Sequence, residues 1–167
     1  GLSQQEDIKM AFDKAKQYLE EKGYGDRVRQ FNGSSATVEL AAIALGTDPA
    51  RIAKSLTFKV DDKPVMILCA GDAKIANPKF KAFFHTKATM LSPEEIRELI
   101  GHEIGGVCPF GIKDGVQVYL DTSLKRFDIV YPACGSSNSA VVLNIAELEE
   151  VAPFIEWIDV CKIPEAE

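Results

Sequence analysis

One lysine and two loops of small residues carry the chemistry that this sequence suggests. Lys54 lies in the run 52–60, where a short helical pattern gives way to a strand pattern. The loops are residues 105–111, which read GGVCPFG, and residues 135–139, which read GSSNS. A fixed ammonium group beside small hydroxyl, amide and backbone groups can bind a phosphate, a ribose or the carbonyl of an ester. This combination indicates a pocket that holds the phosphate-bearing end of a chain.

Each of these features also has a purely structural interpretation. Lys54 can be a lysine that keeps its ammonium group in water at the edge of an apolar strand. The glycines of loop 105–111 can serve a tight connection between a helix and a strand, which Pro109 would stiffen. Loop 135–139 can be an ordinary hydrophilic turn. The residue types alone favour neither interpretation for any of the three features.

Familiar catalytic motifs do not occur in the sequence. There is no G-x-S-x-G sequence, no phosphate-binding P-loop and no H-E-x-x-H zinc motif. Cys69, Cys108, Cys134 and Cys161 are widely spaced, which predicts reduced and mostly buried thiols. Cys108, next to Pro109, is the one cysteine candidate for a nucleophile, so a thiol esterase or amidase is an open alternative. We expect neither a metal nor another cofactor.

Composition and charge limit the class of protein. The 167 residues are 46% hydrophobic and 26% charged, which is typical of a globular chain and predicts one domain over residues 1–167. The net charge of −6 argues against a DNA-binding protein, because duplex binding needs an extended basic face. Residues 51–87, however, carry eight cations and three anions, whereas residues 147–167 carry seven acids and one lysine. This pattern predicts either local contact with a polyanion or merely solvated faces. Because no apolar span or signal peptide is visible, we expect a cytoplasmic protein without membrane contact.

Helices are predicted early in the chain and strands late, which is typical of an α+β fold with a mixed or antiparallel sheet. The clearest helix begins after the cap Thr37 and ends at Gly46. Asp61 and Asp62 predict a hairpin turn between two strands. The predicted helices are residues 4–22, 38–45 and 146–151, with three more that start at Pro49, Pro78 and Pro93. The predicted strands are residues 27–31, 55–60, 64–70, 116–120, 127–131, 140–143 and 154–160.

In their order along the chain, the motifs resemble the YbaK/EbsC-like editing domains that are associated with prolyl-tRNA synthetase. The resemblance covers residues 35–160 in round numbers. Its motifs are Ala44-Leu45-Gly46, Lys54-Ser55-Leu56, Gly105-Gly106-x-x-Pro109-Phe110 and Gly135-Ser136-Ser137-Asn138. It implies one domain with a curved mixed, largely antiparallel sheet flanked by helices. It also implies hydrolysis of the ester of mischarged tRNA without a metal or a catalytic triad, assisted by the terminal ribose hydroxyl of the tRNA.

The same resemblance implies roles for individual residues. Lys54 would be the hallmark residue that orients the terminal phosphate or the aminoacyl carbonyl. Gly105 and Gly106 would lie against the aminoacyl group and position the ester and the attacking water. The other residues implied to bind substrate are Ser35, Thr37, Pro109, Phe110, Gly135, Ser136, Ser137 and Asn138. Some relatives carry a histidine in the late loop, and its absence here leaves the amino acid that is removed open.

The function expected from the resemblance is a trans-acting aminoacyl-tRNA deacylase. Its partner would be the acceptor end of an aminoacylated tRNA, with an aminoacyl-tRNA synthetase as a further candidate. A modest basic patch would suffice for this, because only the end of a single strand enters the pocket. The alternative is a non-catalytic module that holds tRNA ends, or docks on a synthetase, with the same pocket.

Overall fold

The structure of the protein, a computed structural model, describes residues 2–164. These residues form an α+β fold around a curled six-stranded sheet. The α-helices are α1 (Leu2–Glu21), α2 (Val38–Leu45), α3 (Asn77–Phe84), α4 (Pro93–Glu95) and α5 (Ile145–Val151). The strands are β1 (Val28–Gln30), β2 (Ile52–Val60), β3 (Lys63–Ala70), β4 (Lys74–Ile75), β5 (Gln117–Asp121), β6 (Ile129–Pro132), β7 (Ser139–Val141), β8 (Leu143–Asn144), β9 (Phe154–Ile158) and β10 (Cys161–Lys162).

The central sheet has the strand order β8-β6-β2-β3-β5-β9 and contains both pairing directions. The pairs β2–β3 and β6–β8 are antiparallel, whereas β2–β6, β3–β5 and β5–β9 are parallel. The prediction of a mixed α+β fold is therefore confirmed. The sheet has more parallel pairing than the largely antiparallel sheet that the resemblance implies. One reason is that the long connection between β3 and β5 brings the chain back in the same direction. Two short antiparallel pairs, β1–β7 and β4–β10, lie beside it.

The β2–β3 hairpin forms where the sequence predicts it. Asp61 and Asp62 both have left-handed backbone conformations, with φ of 51° and 62°, as expected for a two-residue hairpin turn. β2 begins at Ile52, three residues before the predicted start, because Ile52 and Ala53 pair with β6. Lys54 is consequently the third residue of a strand and does not mark a boundary between helix and strand.

The helix signals are also reproduced. Thr37 caps α2 by accepting a hydrogen bond of 3.1 Å from the Leu40 amide, and Gly46 ends the helix with φ of 69°. Ser92 and Glu95 form a capping box at α4, which continues as a π-helical turn over Ile96–Ile100. The predicted helix at Pro49 is a single 3-10 turn.

The late strands are divided more finely than predicted. The predicted strand 140–143 separates into β7 and β8, because β7 pairs with β1 whereas β8 pairs with β6. The predicted strand 154–160 is likewise β9 followed by the short β10. β7 begins at Ser139, which is the last residue of the late loop 135–139.

The core lies on both faces of β3, whose last six residues are fully buried, and includes the inner side of α1 through Ala15 and Leu19. All four cysteines are free and buried, as the sequence predicts. None of the helices in residues 2–164 is long and apolar enough to cross a membrane.

Candidate functional site

A cavity of about 310 Å³ opens along one edge of β2, and we call it the β2 cavity. One wall is β2 itself, and the opposite walls come from four separate segments of the chain. The lining includes Ser35, Thr37, Lys54, Ser55, Met90, Leu91, Ile104, Gly105, Tyr131, Ala133 and Ser139. Most of the remaining lining is aliphatic, from Val38, Ala41, Ile52, Ala53, Ile96, Val107 and Ala140. The cavity thus combines an apolar lining with one cation and several hydroxyl groups.

Lys54 supplies the positive charge of the cavity wall. Its Nζ donates hydrogen bonds to the carbonyl oxygens of Gly71 at 3.2 Å and Ala73 at 2.5 Å. The carboxylate of Asp72, between these two residues, binds the guanidinium of Arg126 through bonds of 3.1 and 2.6 Å. Among residues 2–164, no carboxylate lies within 4 Å of the Lys54 ammonium group. Neutral carbonyls therefore hold this charge in position without neutralising it.

Two serines on the cavity wall have unused hydrogen-bonding capacity. The hydroxyls of Ser35 and Ser55 are buried and have no hydrogen-bond partner within the described part of the chain. A buried hydroxyl without a partner costs about 1–3 kcal/mol, so a polar ligand or water that reached it would stabilise the site. The hydroxyl of Thr37, by contrast, is already engaged as the cap of α2.

The late loop supports the cavity from behind. The Ser136 hydroxyl donates to Oδ1 of Asn138 at 2.9 Å and lies 2.6 Å from the Ser139 hydroxyl. Of these three residues, Ser139 alone lines the cavity. Asn138 in turn donates from Nδ2 to the carbonyl of Phe31 at 3.2 Å. The predicted loop residues Ser136 and Asn138 thus position Ser139 and do not themselves form the wall.

The rest of the late loop is likewise structural. Ser137 is exposed, and its carbonyl accepts a hydrogen bond of 2.6 Å from the Ser35 amide. Gly135 has φ of 78°, and a Cβ there would lie 2.5 Å from the carbonyl oxygen of Ala11 in α1. Gly135 therefore permits close packing of the loop on α1. Neither Ser137 nor Gly135 lines the cavity.

The two neighbouring glycines of the earlier loop have different positions. Gly105 lines the β2 cavity, as the resemblance implies for a residue against the aminoacyl group, whereas Gly106 does not. A Cβ on Gly106 would lie 2.5 Å from the backbone nitrogen of Ser136 and 2.7 Å from the carbonyl carbon of Gly135. The absence of a side chain at Gly106 lets the two loops pack backbone against backbone.

Pro109 and Phe110 lie in the core and do not reach the cavity. Phe110 is fully buried, with its ring centroid 6.1 Å from that of Tyr18 in α1. Pro109 is buried beside it. Phe110 thus packs this part of the motif against α1, and the predicted contact of these two residues with substrate stays a prediction.

Cys108 does not have the properties of a nucleophile. It is fully buried, and this burial, together with the nearby Cys134 thiol, raises its pKa well above the ordinary value. Burial likewise raises the pKa of Cys134 to about 12. Because the thiolate is the reactive form, neither residue supports the thiol esterase alternative.

His102 orients the same loop from inside the protein. Its side chain is buried, and its Nδ1 accepts a hydrogen bond of 3.3 Å from the Cys108 amide. Burial lowers the pKa of His102 to about 4, so the ring is neutral at pH 7. Within residues 2–164, no three His, Cys, Asp or Glu side chains are grouped so that they could hold a metal ion.

The basic middle of the chain is partly neutralised in the fold. Arg51, Lys59 and Lys79 form ion pairs with Asp128, Glu95 and Asp159, which come from other parts of the chain. The other lysines of this region apart from Lys54 are exposed, namely Lys63, Lys74, Lys81 and Lys87. The cationic surface is therefore smaller than the count along the sequence suggests.

Sequence reasoning missed several residues of the site. Ser55 adjoins the predicted Lys54, and Ser139 ends the predicted loop and adjoins the predicted Asn138, so their proximity to predicted site residues was a usable signal. Met90, Ile104 and Tyr131 come from distant segments, and no local pattern indicates that they share a cavity. Met90 and Ile104 are 59% and 61% exposed, which places two large apolar side chains at the cavity mouth.

Fold and site together define an α+β domain with a small, largely apolar cavity whose lining cation, Lys54, has no carboxylate partner among residues 2–164. Residues 33–151 match the family model of the aminoacyl-tRNA editing domain. The chain belongs to this family.

Relatives and solved structures agree with the assignment. The chain is 56% identical over 136 residues to the uncharacterized protein YwhH of Bacillus subtilis (strain 168), covering 81% of this chain and 87% of YwhH. It is 34% identical over 102 residues to the proline–tRNA ligase of Geobacillus sp. (strain WCH70), covering 60% of this chain and 18% of the ligase. The chain thus corresponds to less than one fifth of that enzyme. A crystal structure described as a candidate trans-editing enzyme for prolyl-tRNA synthetase matches with a TM-score of 0.82 at 27% identity, covering 91% of this chain and 97% of the other.

Proposed function

We propose that this protein is a trans-acting aminoacyl-tRNA deacylase that hydrolyses the ester of mischarged tRNA. One observation carries the proposal beyond family membership: Lys54 lines the β2 cavity, two carbonyls fix its ammonium group, and no carboxylate of residues 2–164 neutralises it. A permanent charge at an apolar cavity attracts an anionic substrate group more strongly than it would in water. The terminal phosphate of an aminoacyl-tRNA is such an anionic group, and the ester carbonyl oxygen carries a partial negative charge.

The proposed reaction needs few protein groups. A water oxygen attacks the ester carbonyl carbon, and the bond from this carbon to the ribose oxygen breaks. The proton of the water passes to the ribose oxygen, so that the products are a free amino acid and an uncharged tRNA. The neighbouring ribose hydroxyl of the tRNA assists the water, while Lys54 and the backbone of Gly105 hold the substrate in position. The protein contributes chiefly orientation and electrostatic stabilisation.

The hydroxyls of the cavity wall would complete substrate binding. Ser35 and Ser55 have free hydrogen-bonding capacity, and Ser139 is positioned by Ser136. These groups are suited to the ammonium and hydroxyl groups of an aminoacylated ribose. We propose that the domain meets the acceptor end in the cytoplasm, where charged tRNA is found, with a synthetase as a further candidate partner.

The direct test is a deacylation assay with a panel of mischarged tRNAs. Each tRNA carries a radiolabelled amino acid, and release of the label is measured with and without the protein. The proposal predicts release from at least one mischarged tRNA and none from the correctly charged counterpart. Binding of the panel without release would favour the non-catalytic module instead.

A further inference from the structure

The pairing of β2 is interrupted where it borders the cavity. On the edge away from β3, β2 pairs with β6 only at Ile52 and Ala53. Further along the same edge, the Lys59 amide donates to Thr89, and the Leu91 amide donates to Thr57. Residues 54–56 lie between these two contacts, and along this edge no strand of residues 2–164 pairs with them. The gap is flanked by Ala133 on one side and Leu91 on the other, and both residues line the cavity.

The direction of the backbone groups in this gap follows from the register. Thr57 and Lys59 form their hydrogen bonds toward the open edge, so the odd-numbered residues of β2 direct their N–H and C=O groups there. The register with β3 is unbroken, so Ser55 directs both of its backbone groups the same way. Neither group has a hydrogen-bond partner within residues 2–164.

Ser55 is half-buried, and unpaired backbone groups are unusual inside native proteins, where more than nine tenths of the buried N–H and C=O groups are paired. In an antiparallel pair, one residue exchanges two hydrogen bonds with one opposite residue. An aminoacyl ester carries the matching groups on a single residue, namely an ammonium donor and a carbonyl acceptor. Addition of a ligand to an open strand edge is a known mode of recognition.

We infer that the backbone of Ser55 is the binding site for the aminoacyl group, with its N–H on the ester carbonyl oxygen and its C=O on the α-ammonium group. This inference rests on the proposed function and narrows it. The resemblance implied that Lys54 orients either the terminal phosphate or the aminoacyl carbonyl. The inference assigns the carbonyl to Ser55, so that Lys54 binds the terminal phosphate. As water attacks, the ester oxygen becomes an oxyanion, and the Ser55 N–H lies ready to stabilise it.

The first experiment examines binding without turnover. The wild-type protein is labelled with ¹⁵N and titrated with 3′-deoxy-3′-aminoacylaminoadenosine, in which a stable amide replaces the ester. We expect the amide proton of Ser55 to shift downfield and to be protected from exchange with solvent, because it acquires a hydrogen bond. The amide of Asp62, in the exposed turn of the same hairpin, is the control and should not change. An analogue that binds while the Ser55 amide stays unchanged would overturn the inference.

The second experiment removes the N–H group alone. Ser55→Ala is compared with its counterpart that carries lactic acid at position 55, so that an ester oxygen replaces the backbone N–H. We expect kcat to fall by about 10²–10³-fold, the usual loss for one oxyanion donor. Asp62→Ala and its lactic acid counterpart should have equal rates. Equal rates for the pair at position 55 would overturn the inference, and the melting temperatures of the pair show whether folding is affected.

The two experiments separate this inference from the proposed function. If the wild-type protein deacylates tRNA, but the Ser55 amide signal does not change and the pair at position 55 has equal rates, the proposed function stands and the backbone assignment is wrong. If the wild-type protein releases no amino acid, the proposed function is wrong. The titration then still decides whether the Ser55 edge binds an aminoacyl group.

Discussion

The packing of the two loops that border the cavity depends on Gly106, so Gly106→Ala should weaken both the fold and the site. The added Cβ would lie 2.5 Å from the Ser136 nitrogen and 2.7 Å from the Gly135 carbonyl carbon. These are backbone atoms and have no other rotamer to adopt. Because ordinary contacts are about 3.5 Å or longer, the two loops must separate by roughly 1 Å.

The size of the effect follows from this displacement. Inserting one carbon into a packed site costs about 1–3 kcal/mol. For a domain of this length, each kcal/mol lowers the melting temperature by about 2–4 °C, so we expect a decrease of roughly 2–12 °C. The same separation displaces Gly105 and the support of Ser139, and a misplacement of about 1 Å can reduce the rate by roughly 10²-fold.

The assay is thermal unfolding followed by circular dichroism, together with deacylation at a temperature where both proteins are folded. Gly33→Ala is the matched control, because a Cβ at Gly33 would have no atom within 4 Å. It should melt within about 1 °C of the wild type, as a surface substitution away from special features does. A Gly106→Ala protein as stable as the Gly33→Ala control would refute the reasoning on loop packing.

Two further predictions concern charge. The pKa of His102 is about 4 in the folded protein and has its ordinary value of 6.5 in the unfolded chain, so acid stabilises the unfolded chain. The free energy of unfolding should therefore fall by roughly 3 kcal/mol between pH 6.5 and pH 4. Urea unfolding at several pH values should show this loss in the wild type and in a control with exposed His85→Gln, but not in His102→Gln; equal pH dependence in all three would contradict it. Arg126→Met should release the Asp72 carboxylate beside the carbonyls that hold Lys54, and deacylation should slow by about tenfold, or roughly 1.4 kcal/mol. Adding Asp72→Asn should restore the rate, and an unimpaired Arg126→Met protein would show that Asp72 does not compete for Lys54.

Local signals allowed much of the fold to be predicted from the sequence. The cap Thr37, the terminator Gly46 and the Asp61-Asp62 turn act within a few residues, and the structure places each where the sequence predicts. The parallel pairings and the early start of β2 depend on partners at least 36 residues away, for which no local pattern exists.

The candidate site was predictable only in part, for the same physical reason. Lys54 and Gly105 lie on the cavity wall, as does Ser35. Gly106 and Phe110 belong to the same motif, but they serve loop packing and the core. A sequence motif shows which residues occur together, whereas only the fold separates those that line a cavity from those that hold the wall in place.

The fixed charge of Lys54 is proposed to drive deacylation, and single-turnover kinetics on Lys54→Met measure its contribution. Methionine keeps an unbranched apolar side chain and removes the charge, while Lys63→Met is the control at an exposed position of the same hairpin. With a mischarged tRNA that the wild type deacylates, we expect a loss of about 10²–10³-fold for Lys54→Met, the usual range for a key electrostatic contact, and no loss for Lys63→Met. A folded Lys54→Met protein that releases the amino acid at the wild-type rate would contradict it.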